Sequence, residues 1–185
     1  MNKVVLFIIG FLTFLSLNAC DSRVDKINVK LQELCSEPIK FNTHDFVVVC
    51  NNPTYKICVD SVEFKYVCFL DSSECTSCAL KDAYRWNDYI SMFESNSKQI
   101  SFLYVLSTKP SRDVMLQIRE SGFCQNIYID TCGVFAENNP HIPNNMMFHT
   151  FLLDKNNNVV LVGNPIKNEK IRKRFIEIVN RYTSI

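Results

Sequence analysis

From Val62 onward the chain alternates between two hydrophobic periods, and this alternation constrains its fold more than any other feature. Val62–Leu70 (VEFKYVCFL) is rich in strand formers and has no Gly or Pro, which suits a buried central strand. After Asp71-Ser72-Ser73, the apolar residues Ala79, Ala83, Trp86, Ile90 and Phe93 recur at helical spacing, predicting one helix of about four turns. Ile100–Leu106 predicts a second strand, Arg112–Glu120 a helix closed by Gly122, and Asn126–Asp130 a third strand. Residues 133–147, with Asn138-Asn139-Pro140 and Pro143-Asn144-Asn145, read as loop. His149–Leu153 and Val159–Val162 flank Asp154-Lys155-Asn156-Asn157-Asn158 as an antiparallel hairpin, and a last helix follows Asn168 with Ile171, Phe175, Ile178 and Tyr182 on one face. The order β-α-β-α-β, loop, β-β-α predicts an α/β fold. Its first three strands should be parallel through right-handed crossovers, its closing hairpin antiparallel, and its helices should cover both faces of a mixed sheet.

Upstream, Val24, Ile27, Leu31 and Leu34 predict a short amphipathic helix, or else a spacer. Phe46–Cys50 and Tyr55–Val59, separated by Asn51-Asn52-Pro53-Thr54, suggest a hairpin. With 47% hydrophobic residues and 14 Phe the chain can bury a real core, which excludes a disordered chain. Twenty basic against 19 acidic residues leave no charge excess to drive nucleic-acid binding.

The first residues, MNKVVLFIIGFLTFLSLNAC, have the layout of an export signal: Lys3, then an apolar run from Val4 to Leu17, then Asn18 and Ala19. The run is shorter than the roughly 20 residues a bilayer core requires. Leu17-Asn18-Ala19-Cys20 resembles the bacterial lipoprotein signal, which implies cleavage after residue 19 and acylation of Cys20. The expected organisation is therefore a signal peptide over 1–19, a tether with short helix and hairpin over 20–60, and one domain over 61–185. A lipid on Cys20 would also account for the odd cysteine in a total of nine.

Two more cysteines carry chemistry. Cys75-Thr76-Ser77-Cys78 stands where a strand hands over to a helix, and backbone N–H groups at a helix start favour a thiolate. Cys75 is then the attacking thiol, and Cys78, one turn on, resolves a mixed disulfide. Zinc would need further ligands at matching spacing. There is no second CxxC, and His44, His141 and His149 are scattered. A purely structural Cys75–Cys78 bridge would close too short a loop to stabilise much. Trp86 and the Phe-rich strands read as core, and Lys170, Arg172, Lys173 and Arg174 as a solvated face.

The CTSC segment after a strand, FLYVLS, IYID, HTFLLDKNNNVVLVGNP and the final amphipathic helix together resemble the thioredoxin-like fold over residues 61–185. Within it they are similar to envelope-tethered thiol–disulfide oxidoreductases related to those serving cytochrome c maturation. The resemblance implies a three-layer sandwich and reversible dithiol–disulfide exchange with envelope proteins. It also implies a reductase role, a redox donor as partner, no cofactor, and membrane attachment through the lipid. Three positions depart from the family. Phe148 stands where the family has a cis-proline facing the CxxC, so a trans peptide is expected there. Lys81 stands where relatives often carry an acid, and Phe69 where thioredoxin has its buried acid. Asp71 and Glu74 oppose a thiolate at Cys75 while Lys81 and the helix start favour it, which leaves the sign of their sum open. Two other functions are weighed: a binding lipoprotein with a vestigial CxxC, and a peroxidase-like relative, against which the CxxC itself argues.

Of the remaining cysteines, Cys68 lies mid-strand and reads as a buried thiol. Cys124 and Cys132 flank an extended segment of roughly 26 Å, too long for a bridge. Cys50 and Cys58 could pair with each other, or either with Cys35.

Overall fold

The computed structural model describes residues 23–49, 62–95 and 100–181. The signal segment, Cys20, the Tyr55–Val59 half of the expected hairpin and Tyr182 lie outside them. The first helix, α1, spans residues 23–34. Strand β1 (Val47–Val49) and strand β2 (Phe64–Leu70) are followed by helices α2 (Thr76–Lys81) and α3 (Trp86–Ser95). Then come β3 (Ile100–Ser107), α4 (Arg112–Glu120), β4 (Ile127–Asp130), α5 (Val134–Asn138), β5 (Thr150–Leu153), β6 (Val159–Val162) and α6 (Glu169–Arg181).

The strands form one sheet in the order β1-β4-β3-β2-β5-β6. β2, β3 and β4 are mutually parallel, and β5 and β6 close the sheet antiparallel, as the sequence pattern predicts. β1 pairs antiparallel with β4. Because β2, β3 and β4 step across the sheet in one direction, crossovers of one hand put their connecting helices on one face.

All seven residues of β2 are buried, yet alternate side chains enter different cores. Phe64, Tyr66, Cys68 and Leu70 join Leu80, Trp86, Ile90, Phe93, Ile118 and Phe175 beneath α2, α3, α4 and α6. At the centre of this core the Tyr66 ring lies 4.5 Å from that of Trp86 and 5.5 Å from that of Phe175. The Tyr66 hydroxyl donates to the carbonyl of Gly163 at 2.9 Å, so this buried polar group is satisfied. Val67 and Phe69 enter the second core with Leu34, Ile39, Phe135, Phe148 and Phe151. Residues 23–49 therefore supply both core side chains and an edge strand to the same unit.

The single helix expected from Ala79 to Phe93 is broken. A 3-10 turn over Ala83–Arg85 separates α2 from α3, with Asp82 capping α2 through its N–H to the Ala79 and Leu80 carbonyls. Ala83, Trp86, Ile90 and Phe93 remain buried across the break, so apolar spacing gives no sign of it. The expected loop over 133–147 contains α5, which is too short for a periodicity signal. The other boundaries fall within two residues of expectation, and the solvated face of α6 carries the Glu169–Lys173 and Arg174–Glu177 ion pairs.

Candidate functional site

β2 ends at Leu70, and the turn that follows is fixed by its own polar groups. The Asp71 carboxylate accepts from the Ser73 N–H at 2.9 Å and the Ser72 hydroxyl at 3.1 Å, and the Glu74 N–H donates to the Asp71 carbonyl at 2.9 Å. The turn delivers Cys75 as the N-cap of α2. Cys75 and Cys78 are joined by a disulfide with Cα atoms 5.3 Å apart, and both residues are exposed. The Cys78 N–H points at the Cys75 sulfur at 3.3 Å, and Ser77 Oγ lies 3.4 Å from the same sulfur. In the reduced state these groups would favour a thiolate on Cys75. α2 is only six residues long, so side chains around the turn count for more than a macrodipole.

The segment facing this turn is the approach to β5. Phe148 is buried in the second core, and its peptide bond is trans, as expected. The residue that reaches the CxxC segment is His149, whose Nδ1 lies 2.6 Å from Glu74 Oε1 and whose Nε2 lies 2.9 Å from the Pro143 carbonyl. The His149 backbone carbonyl accepts from the Phe69 N–H at 2.8 Å, and its ring packs 5.1 Å from the Phe69 ring. Phe69 thus contacts a basic group, although it brings no acid of its own. The Asp71 carboxyl sits below the usual range, chiefly through the Ser73 N–H, against partial burial and with help from the Ser72 hydroxyl and the charge of His149. Lys81 is exposed at the end of α2. Sequence reasoning missed His149, because nothing in a lone histidine before a strand reveals a carboxylate 75 residues upstream.

A cavity of about 580 Å³ opens beside the CxxC turn, lined among others by Glu74, Asp82, Trp86, Tyr104, Met147 and His149 but by neither Cys75 nor Cys78. Met146 and Met147, on the 3-10 turn before His149, are largely exposed at its edge.

The other cysteines divide by environment. Cys35, Cys68 and Cys132 are free thiols, so Cys35 forms no bridge and Cys124 and Cys132 do not pair with each other, while Cys50 and Cys58 lie outside the described residues. Cys68 is buried beside Tyr104, and burial pushes its thiol well up. At pH 8, iodoacetamide is expected to label exposed Cys35 and Cys132 within minutes and to leave Cys68 unmodified until denaturant is added, as read by mass mapping. Among the described residues no group of His, Cys, Asp or Glu is arranged to hold a metal ion.

No family model and no curated protein matches the sequence. Solved structures do match in shape. A thioredoxin-like protein determined in solution in its oxidised form superposes with a TM-score of 0.53 at 14% identity, covering 78% of this chain and 96% of that one. A Chlorobium tepidum protein described as a thiol:disulfide interchange protein, DsbE, gives a TM-score of 0.47 at 15% identity over 65% of this chain and 82% of that one. The bacterioferritin comigratory protein of Xanthomonas campestris gives 0.44 at 13% identity over 66% of this chain and 82% of that one. With a mixed sheet whose central strand leads into a Cys75–Cys78 disulfide at the start of a helix, the chain has a thioredoxin-like fold.

Proposed function

We propose that the protein is a thiol–disulfide oxidoreductase that exchanges disulfides with other proteins through Cys75 and Cys78. The observation that carries this reading is an exposed Cys75–Cys78 disulfide at the N-cap of α2, on the strand-to-helix turn of a thioredoxin-like fold. The N-cap position, with the Cys78 N–H aimed at its sulfur, supports Cys75 as the attacking sulfur, and exposure of both cysteines favours exchange over a vestigial pair. Protein substrates suit the edge of the flanking cavity, where Met146 and Met147 offer flexible, polarizable contact to apolar side chains. We read the direction as net reduction, with the oxidised pair returned to the dithiol by a donor protein. We read the location as the bacterial envelope, with the chain tethered through lipid on Cys20; this part rests on the sequence of the first 20 residues. Among the described residues no helix is long and apolar enough to cross a membrane.

Exchange in buffers of varied reduced-to-oxidised glutathione ratio tests the reading. The expected result is a reversible two-electron transition of Cys75–Cys78, together with reduction of a protein disulfide by the dithiol form. A pair that does not equilibrate with glutathione or with a protein disulfide overturns it.

A further inference from the structure

His149 and Glu74 meet in a geometry that fixes a proton. His149 is 3% exposed, and its Nε2 faces the Pro143 carbonyl, which can only accept, so Nε2 carries hydrogen. Its Nδ1 faces Glu74 Oε1 at 2.6 Å. A neutral imidazole with hydrogen on Nε2 would aim an Nδ1 lone pair at a carboxylate lone pair over that distance. The contact therefore requires a proton between the two atoms, carried by either the imidazole or the carboxyl group. In both cases the pair has no net charge.

Placement gives the proton a consequence. Glu74 is bonded in sequence to Cys75, and Asp71 brings a second carboxylate to the same turn. The other charged groups lining the adjoining cavity are Asp82, just after α2, and Lys167, ahead of α6, and these offset each other in sign. Lys81 is exposed at the end of α2. Removing His149, and with it the shared proton, would leave two carboxylates beside a cysteine that has to ionise.

We propose that His149 and Glu74 act as a proton-sharing pair that cancels the carboxylate next to Cys75, keeps the Cys75 thiolate available at neutral pH, and clamps the CxxC turn to the start of β5. His149 stands on the chain segment that also holds Phe148, so its side-chain contact with Glu74 ties the facing loop to the redox turn. Both are positioning residues, because they act through Cys75.

This rests on the redox reading of Cys75, and the test separates the two. Reduced wild-type protein and the variants His149→Gln, Glu74→Gln and the double variant are treated with iodoacetamide across pH. The Cys75 thiolate displaces iodide, and the rate is followed by mass mapping of that cysteine. His149→Gln leaves an uncancelled carboxylate, so alkylation at pH 7 should slow by roughly three- to tenfold and its pH midpoint should rise, since one pKa unit is a factor of ten. Glu74→Gln keeps a neutral contact and should stay within about twofold of wild type. The double variant, neutral again, should recover most of the loss. A merely structural contact would leave the double variant as slow as His149→Gln, and that result, or an unchanged rate in His149→Gln, overturns the proposal. Should the His149 variants fail to fold, nitrogen-15 spectra of wild-type His149 decide it: hydrogen on both ring nitrogens, or an Nδ1 that accepts the Glu74 carboxyl proton, supports the pair, and an Nδ1 whose lone pair meets no proton overturns it. Wild type that alkylates as expected but exchanges no disulfide overturns the function and leaves the pair intact.

Discussion

Cys75→Ser is expected to abolish the dithiol couple outright, whereas Cys78→Ser keeps attack and loses release. The asymmetry follows from the site's geometry. Cys75 is exposed at the N-cap, with the Cys78 N–H at 3.3 Å ready to hold a thiolate, so it meets an incoming disulfide first. A serine hydroxyl forms no disulfide and is not ionised at neutral pH, so no residual exchange should be measurable in the first variant. In the second, the mixed disulfide forms normally. Its resolution then depends on external thiol in place of a sulfur whose Cα is 5.3 Å away. Intramolecular attack from so close a position corresponds to effective molarities far above millimolar. The lifetime of the trapped species should therefore lengthen by on the order of a thousandfold or more. Non-reducing gels with a protein disulfide substrate read both outcomes. Trapping by Cys75→Ser through Cys78, which is also exposed, at a comparable rate would reverse the assignment. In intact cells, partners held by Cys78→Ser would name the substrates.

The sheet and its helices were legible in the sequence because they repeat. β2, β3 and β4 announce themselves as long β-branched and aromatic runs, and α4 and α6 as amphipathic stripes whose apolar residues, Ile118, Phe175 and Ile178, are buried. The CxxC was legible from its place after a strand. Hidden features were those made by single contacts between distant residues. Trp86 and Ala83 stay buried on both sides of the α2–α3 break, so periodicity passes over it. Glu74 reads in sequence only as a charge opposing Cys75, and it takes the fold, pairing Phe69 with His149, to supply its partner. Phe148 directly precedes the residue that reaches the CxxC turn, and its burial in the second core could not be read from the missing proline. Asp130 looked like the polar end of a strand, and its role is the largest one that was overlooked.

Asp130→Ala should cost about 3–5 kcal/mol of stability, the largest loss expected from any single polar substitution here. Asp130 is 1% exposed at the end of β4, at the same sheet edge as the CxxC turn. Its carboxylate accepts from four backbone N–H groups: Cys132, Gly133 and Val134 on Oδ1 at 3.2, 2.8 and 3.0 Å, and Phe135 on Oδ2 at 2.8 Å. Gly133, the residue before α5, has φ of 78° and no side-chain oxygen to cap the helix, so Asp130 does that work from outside. Phe135, set by these bonds, packs 4.9 Å from Phe69 in the second core, which connects the cap to the strand that carries the redox turn. Alanine would leave several of those donors without partners in a place water reaches poorly, and each such donor costs about 1–3 kcal/mol before relaxation. For a chain of this size a loss of about 4 kcal/mol lowers the melting midpoint by roughly 8–16 °C, readable by circular dichroism. Asp130→Asn keeps one acceptor oxygen but points an amide N–H₂ at other donors, so it should fall between wild type and alanine. A shift below about 3 °C for alanine would mean that α5 finds its cap elsewhere. Disulfide exchange by the folded fraction should be unchanged, because Asp130 acts on the core and touches neither Cys75 nor Cys78.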